Sequence, residues 1–357
     1  MNKKLIYLLA VSLAFGSSDM KLASSHTTSI ETLVSLSKDS DEDVRMAVAA
    51  NPNTPVEVLI ELCKDKEEYV VVSAIVNKKT PLATVVSFVN HKENDVRSAI
   101  ARNPNLPKES MEILANDSDD GVREALASNV NAGDTILTLL SNDKEADVVK
   151  AVVTNPASPS DILERFVNNE DYQMSLAANI SSSPAILDKL SDSKYSIGIR
   201  MTVAKNSNTA LKTMEKMLDN NENDTMFIKP ALARNPNATA DMLAKLSTFD
   251  DFSFVRGATR VGVASNKNTP PEVLDKLGTD ENYIVRAIVY KNTKTPASRL
   301  AVLEKDDDFK KFHSIDQNDD IFRGVLGVNY ASNTRDTFFL LGRPDIARAL
   351  NIIHVRP

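Results

Sequence analysis

Apolar residues along this chain fall into two short registers that alternate. In Asp43–Asn51, which reads DVRMAVAAN, Val44, Ala47 and Val48 lie at i, i+3 and i+4, one face of a short helix. Similar text returns as DVRSAIARN at Asp95–Asn103 and as GVREALASN at Gly121–Asn129. A small Ala or Ser recurs within this half and allows close helix approach. A second register follows in NPNTPVEVLIELCKD (Asn51–Asp65), where Val58, Leu59 and Leu62 form another stripe. It returns as NPNLPKESMEILAND (Asn103–Asp117) and as NKNTPPEVLDKLGTD (Asn266–Asp280). The pattern predicts two helices in each unit.

The units are counted by asparagine. Anchors stand at Asn51, Asn77, Asn103, Asn129, Asn155, Asn179, Asn206, Asn235, Asn266 and Asn292, at intervals of 26, 26, 26, 26, 24, 27, 29, 31 and 26. The second unit, VVSAIVNKKTP, aligns with the others only if one residue is dropped. Asn-Pro stops the first helix, because the residue before Pro avoids the α region and Pro lacks an N–H. Thr54-Pro55-Val56-Glu57 then reads as a capping box with Pro at the first helical position, its hydroxyl expected to accept a backbone N–H. Thr269-Pro270-Pro271-Glu272 repeats it, and Ser158-Pro159-Ser160-Asp161 is a variant. Helices this short are marginal alone, so the units are expected to stack and bury each other's faces. The unit is short for two full α-helices with turns, and one half is expected to shrink to a turn of 3₁₀ helix.

The unit V-R-x-A-V-A-x-N-P-x-T-P-x-E-V-L-x-x-L-x-x-D resembles the leucine-rich repeat variant family, a HEAT-like relative. The clearest units run Val44–Asp65, Val96–Asp117 and Val263–Asp280. The resemblance implies an all-α, right-handed superhelical solenoid of about ten repeats of 24–31 residues, serving as a binding scaffold. A described member of that family also carries an iron–sulfur module held by cysteines. This chain has one cysteine, so that cofactor is not expected here, nor is any other.

Composition adds limits. The chain has 357 residues and a formal net charge of −7, which argues against a general nucleic-acid binder. Trp is absent and aromatics make up 5%, so stacking platforms are few. Lys3 and Lys4 precede the apolar run Leu5–Phe15, and small residues follow, as in a secretory signal peptide. Ala14-Phe15-Gly16 or Ala23-Ser24-Ser25 would precede cleavage. The expected organisation is a signal peptide over 1–25, a repeat solenoid over 26–305, and an acidic linker with a C-terminal cap over 306–357. Cys63 falls in an apolar helical register and reads as a small core residue.

Three groups of residues invite a functional reading. A cationic column stands six residues before the anchors: Arg45, Arg97, Arg123, Arg200, Lys229, Arg260 and Arg286. Acids lie two residues before it at Asp43, Asp95, Asp147 and Asp171, so an Arg–Asp ladder tying units together is expected. The anchors, among them Asn51, Asn103, Asn129 and Asn155, are expected to satisfy backbone groups left open at helix ends. The two longest units hold Leu218–Phe227 and Ser247–Gly257. In the second, Phe249, Phe252, Phe254 and Arg256 are the candidate binding residues.

Asp316, Asn318 and Asp320 lack the Gly and Glu that a calcium loop requires, so no metal is expected. Nor does the chain carry a nucleophile elbow, a Walker loop or a dinucleotide fingerprint. The reading is an exported, periplasmic or secreted, non-enzymatic scaffold that binds another protein, expected to be monomeric and not to bind nucleic acid. The alternatives are a nucleic-acid-binding HEAT-like superhelix, or an enzyme with a site in the irregular repeats at 207–257.

Overall fold

A computed structural model of the chain describes residues 17–219, 225–249 and 257–306. The leader run Leu5–Phe15, Phe252, Phe254 and Arg256, the Asp316–Asp320 segment and the C-terminal cap lie outside these residues. So does the middle of the first long insertion. Every element among the described residues is an α-helix, 22 in all, five to nine residues long.

The helices alternate as the two registers predict. A first helix ends at the anchor, as Glu42–Ala50 does before Asn51 and Ala146–Thr154 before Asn155. A second helix starts after the turn, as in Val56–Leu62 and Ser160–Glu164. The second half is α-helical and not 3₁₀. Leu59 N–H donates to Pro55 C=O at 3.0 Å and Cys63 N–H to Leu59 C=O at 2.9 Å, both i→i−4 bonds. Room for it comes from the turn. Thr54 N–H closes onto Asn51 C=O at 3.2 Å, so only a few residues join the two helices.

Among the described residues, one helix pair precedes the first asparagine anchor. Ser18–Ser24 and Ile30–Leu36 form a pair, with Ser25 in the anchor position. Met20 and Ala23 of this pair are buried.

The chain divides into two compact units, Met1–Arg165 and Phe166–Pro357. In the first, Ser18–Ser24, Glu42–Ala50, Glu68–Val76, Asn94–Ala101, Asp120–Ala127 and Ala146–Thr154 pack one on the next. In the second, Glu170–Ala178, Ile197–Lys205, Thr225–Ala233, Ala258–Ser265 and Tyr283–Lys291 do the same. Most second helices lean on first helices, and the layer between them is the core.

Val48, Leu59, Ile100, Leu114, Leu126 and Leu137 are fully buried in the first unit, and Leu176, Leu187, Val203, Met214, Leu243 and Leu274 in the second. Each such side chain contributes about 1.5–3 kcal/mol of transfer free energy, so a column of them offsets the ordering of short helices. Neighbouring first helices approach closely. A Cβ on Gly262 would come within 2.8 Å of the Ala233 Cβ, which is why no side chain is tolerated there.

Candidate functional site

The anchor asparagines bridge consecutive repeats. Asn155 Nδ2 donates to Ala127 C=O at 2.7 Å and to Asn129 C=O at 3.0 Å, in the preceding repeat. Its Oδ1 accepts the N–H of Ala157 at 2.8 Å. One amide thus satisfies two carbonyls at the end of a neighbouring helix and one donor in its own turn. Asn51, Asn77 and Asn129 repeat this in the first unit, and Asn206, Asn235, Asn266 and Asn292 in the second. In every one of these bridges the deeper carbonyl belongs to an alanine: Ala23, Ala49, Ala101, Ala127, Ala177, Ala204, Ala233 or Ala264. Asn103 holds its own turn, accepting the N–H of Asn105 at 2.9 Å, but the corresponding residue in the repeat before it is Ile75.

A second asparagine column stands two residues after the anchors. Asn53, Asn131, Asn208, Asn237 and Asn268 donate to the carbonyls of His26, Pro104, Ile180, Ser207 and Pro236. The N-x-N spacing carries this signal, and it was open to reading in the sequence.

The capping-box expectation is corrected by the structure. Thr54 Oγ1 does not accept from the second helix. It donates back to Val48 C=O at 2.6 Å, and the N-cap residue Pro55 makes no side-chain cap bond. Ser158, Ser182, Thr209, Thr269 and Thr295 donate to the carbonyl six residues earlier in the same way. The tight turn folds the hydroxyl beneath the open end of the first helix. A buried helix-end carbonyl there needs a donor.

The cationic column pairs with acids other than the expected ones. The partner lies 20 residues later, in the loop after the second helix, and not two residues earlier. Arg45 Nε donates to Asp65 at 2.7 Å, Arg97 to Asp117 at 2.6 Å and Arg123 to Asp143 at 2.6 Å. In the second unit Arg260 pairs with Asp280 and Arg286 with Asp306, each at 2.6 Å. The fork is bidentate, with Arg123 Nη2 on Asp143 Oδ1 at 3.0 Å, while Nη1 donates to Asp117 C=O of the preceding loop at 2.7 Å. The guanidinium therefore joins two successive loops.

Asp65, Asp117, Asp143 and Asp280 also accept the N–H two residues on, as Asp143 does from Glu145. Hydrogen bonding by Arg123 holds the Asp143 carboxyl below the usual carboxylate range, against the opposing effect of burial. At Asp65 and Asp117 burial is the largest influence and raises the pKa, but the arginine and the backbone N–H outweigh it.

The two ends of this pair change together in three repeats, while Arg200 keeps its cation with Asn220 at the partner position. Where the cation is lost, the acid is lost as well: Val71 stands 20 residues before His91, Val149 before Asn169 and Gln173 before Ser193. At Lys229 the partner position is Phe249, and the ammonium sits 3.7 Å from the ring centroid. A cation–π contact stands there in place of an ion pair. Phe249 is half-buried beneath it. His91 keeps part of the acid's role, its Nδ1 accepting the N–H of Glu93 at 3.2 Å. Arg200 donates from Nε to Tyr195 C=O at 3.1 Å.

Among the described residues no group of three or more His, Cys, Asp or Glu is placed to hold a metal ion. Burial pushes the Cys63 thiol up to about 11, so little thiolate forms near neutral pH. No helix among the described residues is long and apolar enough to cross a membrane.

Stacked helix pairs, two asparagine columns and an arginine column define an all-α repeat protein. Among solved structures the chain is similar to a leucine-rich repeat variant described as having a novel repetitive protein structural motif. The match is at 18% identity, covers 71% of this chain and 86% of that one, and has a TM-score of 0.35. No family model matches the chain, and no curated protein matches it.

Proposed function

We propose that this chain is a non-enzymatic repeat scaffold that binds another protein. The observation that carries the reading is where the repeated polar side chains are directed. Asparagine, threonine and arginine columns, each a candidate for ligand contact, are engaged with neighbouring backbone and loop carboxylates. What the repeats offer outward is a set of long faces built from stacked helices, the surface type on which repeat proteins bind partners. Phe249, Phe252, Phe254 and Arg256 are carried into this proposal as a contact segment. Affinity capture with the full chain from an envelope extract is expected to recover a specific partner, and to lose it in Phe252→Ala/Phe254→Ala. Failure to recover any protein above background would overturn the reading. A monomer by light scattering, and no gel shift with nucleic acid at low salt, are expected alongside.

Export is part of the same proposal, and the fold favours one processing site. Residues 17–25 supply the first helix of the stack, and Asn51 is bonded to the carbonyls of Ala23 and Ser25 at 2.7 and 3.0 Å. Cleavage after Ser25 would strip these carbonyls from Asn51, whereas cleavage after Gly16 keeps them. N-terminal sequencing of the chain from a periplasmic or secreted fraction is expected to start near Ser17. A start at His26 would overturn this choice of site, and an unprocessed start at Met1 would overturn export.

A further inference from the structure

The two ends of the repeats differ in charge. In the second unit the turn at 178–182 is uncharged, and the four later turns joining first to second helices cover residues 205–209, 234–238, 265–269 and 291–295. They carry five cations, Lys205, Arg234, Lys267, Lys291 and Lys294, and no carboxylate. The opposite loops of that unit carry both signs among the described residues, with Asp192, Asp280, Glu281, Glu304 and Asp306 beside Lys194 and Lys305, and with Asp280 and Asp306 paired to Arg260 and Arg286. The first acids on the cationic side, Asp241 and Glu272, come only inside the second helices. On a chain with formal charge −7, this edge is a local reversal of sign. At ~0.1 M salt the Debye length is about 10 Å, so such an edge presents its own field.

The array is held in register. Asn206, Asn235, Asn266 and Asn292 tie each turn to the one before, and Asn208, Asn237 and Asn268 add a second set of bonds. Lys205, Lys267, Lys291 and Lys294 are exposed and Arg234 is half-buried. Burial of its ammonium end, and then the charge of Arg234, hold Lys205 below its ordinary pKa, although the residue as a whole stays solvent-accessible. Lys205 and Arg234 thus stand near one another on successive turns of this edge. Helix C-termini favour cations by a fraction of a kcal/mol, which accounts for Lys205, Arg234 and Lys291. It does not account for Lys267 and Lys294, which lie beyond the helix ends.

We infer that this edge binds an extended acidic segment of a partner protein. Packed helices repeat at roughly 8–10 Å, so the turns present a positive charge about every 10 Å. An extended peptide advances about 3.3 Å per residue, so an acid at every third position matches that spacing. Duplex nucleic acid carries one phosphate per strand for about every 3.4 Å of helix axis, a denser array. Single strands are gripped largely by aromatic stacking, and these four turns contain no aromatic residue. The inference rests on the scaffold reading and names its surface.

The test uses the full chain and two labelled peptides of equal composition, one with Asp at every third position and one with its Asp residues clustered. By fluorescence anisotropy the spaced peptide is expected to bind at least about fivefold more tightly, and Lys267→Glu/Lys294→Glu to weaken it about tenfold or more. The melting temperature of the variant should be unchanged. If it is not, Lys267→Ala/Lys294→Ala replaces it. Equal binding of the two peptides, or no effect of either variant, would overturn the inference. So would tighter, variant-sensitive binding of a thymidine oligonucleotide or of phosphatidylglycerol vesicles. Partner capture by wild type and variant alike would leave the scaffold standing and remove this edge. Capture by neither would remove the scaffold reading itself.

Discussion

The two ends of each repeat solve one problem with different chemistry. At the turn, open helix-end carbonyls meet a neutral amide and a hydroxyl, as Asn155 and Ser158 show. At the loop, the open carbonyl and the start of the next helix meet an ion pair, Arg123 with Asp143. The neutral end keeps its asparagine at every anchor from Asn51 to Asn292. The charged end varies, with Val71, Val149 and Gln173 in place of the cation and Lys229 over a ring in another repeat. A buried amide that serves three backbone groups has no simple substitute. An ion pair at the rim can be exchanged for apolar or aromatic contact once both partners change, because its net contribution is small after desolvation.

The largest expected effect falls on the neutral end. Asn155→Ala leaves two carbonyls and one N–H without partners, and should destabilise the first unit by about 4 kcal/mol in urea unfolding. A loss under about 1 kcal/mol would mean that water replaces the amide and would erase the contrast. Ala127→Ile tests the approach path. It crowds the carbonyl that Asn155 reaches, and should cost about 2–3 kcal/mol, with a subadditive sum when combined with Asn155→Ala.

At the charged end Arg123→Ala is expected to cost about 2 kcal/mol, much of it from the stranded Asp143 carboxylate. Arg123→Val/Asp143→Asn copies the Val149 and Asn169 combination and should recover more than half of that loss. A double variant as unstable as the single one would show that the pair is not exchangeable.

The smallest effect is on pH dependence. Asp143 has a folded pKa below its unfolded value near ~3.9, so its contribution is present above that value and lost as pH falls through the folded pKa. Acid unfolding curves of Arg123→Val/Asp143→Asn should therefore be flatter below pH ~4 than those of wild type. Asn155→Ala should lower stability equally at all these pH values. Parallel acid limbs for wild type and the double variant would contradict the assignment of charge to the loop end.

Much of this architecture can be read in the sequence. The Asn period, the Val and Leu registers and the helix stop at Asn-Pro all point to paired helices. The Arg partner was hidden because proximity in sequence favours Asp43 beside Arg45, whereas the second helix carries Asp65 back across 20 residues. The direction of Thr54 was hidden because a hydroxyl can donate or accept, and only the turn geometry shows which carbonyl lies beneath it. The repeat ahead of Asn51 carries no asparagine signal, because Ser25 stands where the others have asparagine. Its clue was Thr28, which donates to Leu22 C=O as Thr54 does to Val48 C=O.

Asn77 reaches back 26 residues to Asn51, Asn235 reaches 29 to Asn206, and Asn266 reaches 31 to Asn235, all with bonds of 2.9 to 3.0 Å. The extra length enters after the second helices, at 220–224 and 250–256, and leaves the bridges as they are. The amide rail therefore works as a gauge block. It fixes the pitch of the turns while the opposite margin is free to vary in length. A peptide tag inserted at that margin is expected to leave the urea-unfolding midpoint unchanged, and a lowered midpoint would show that the loops also set the spacing of the stack.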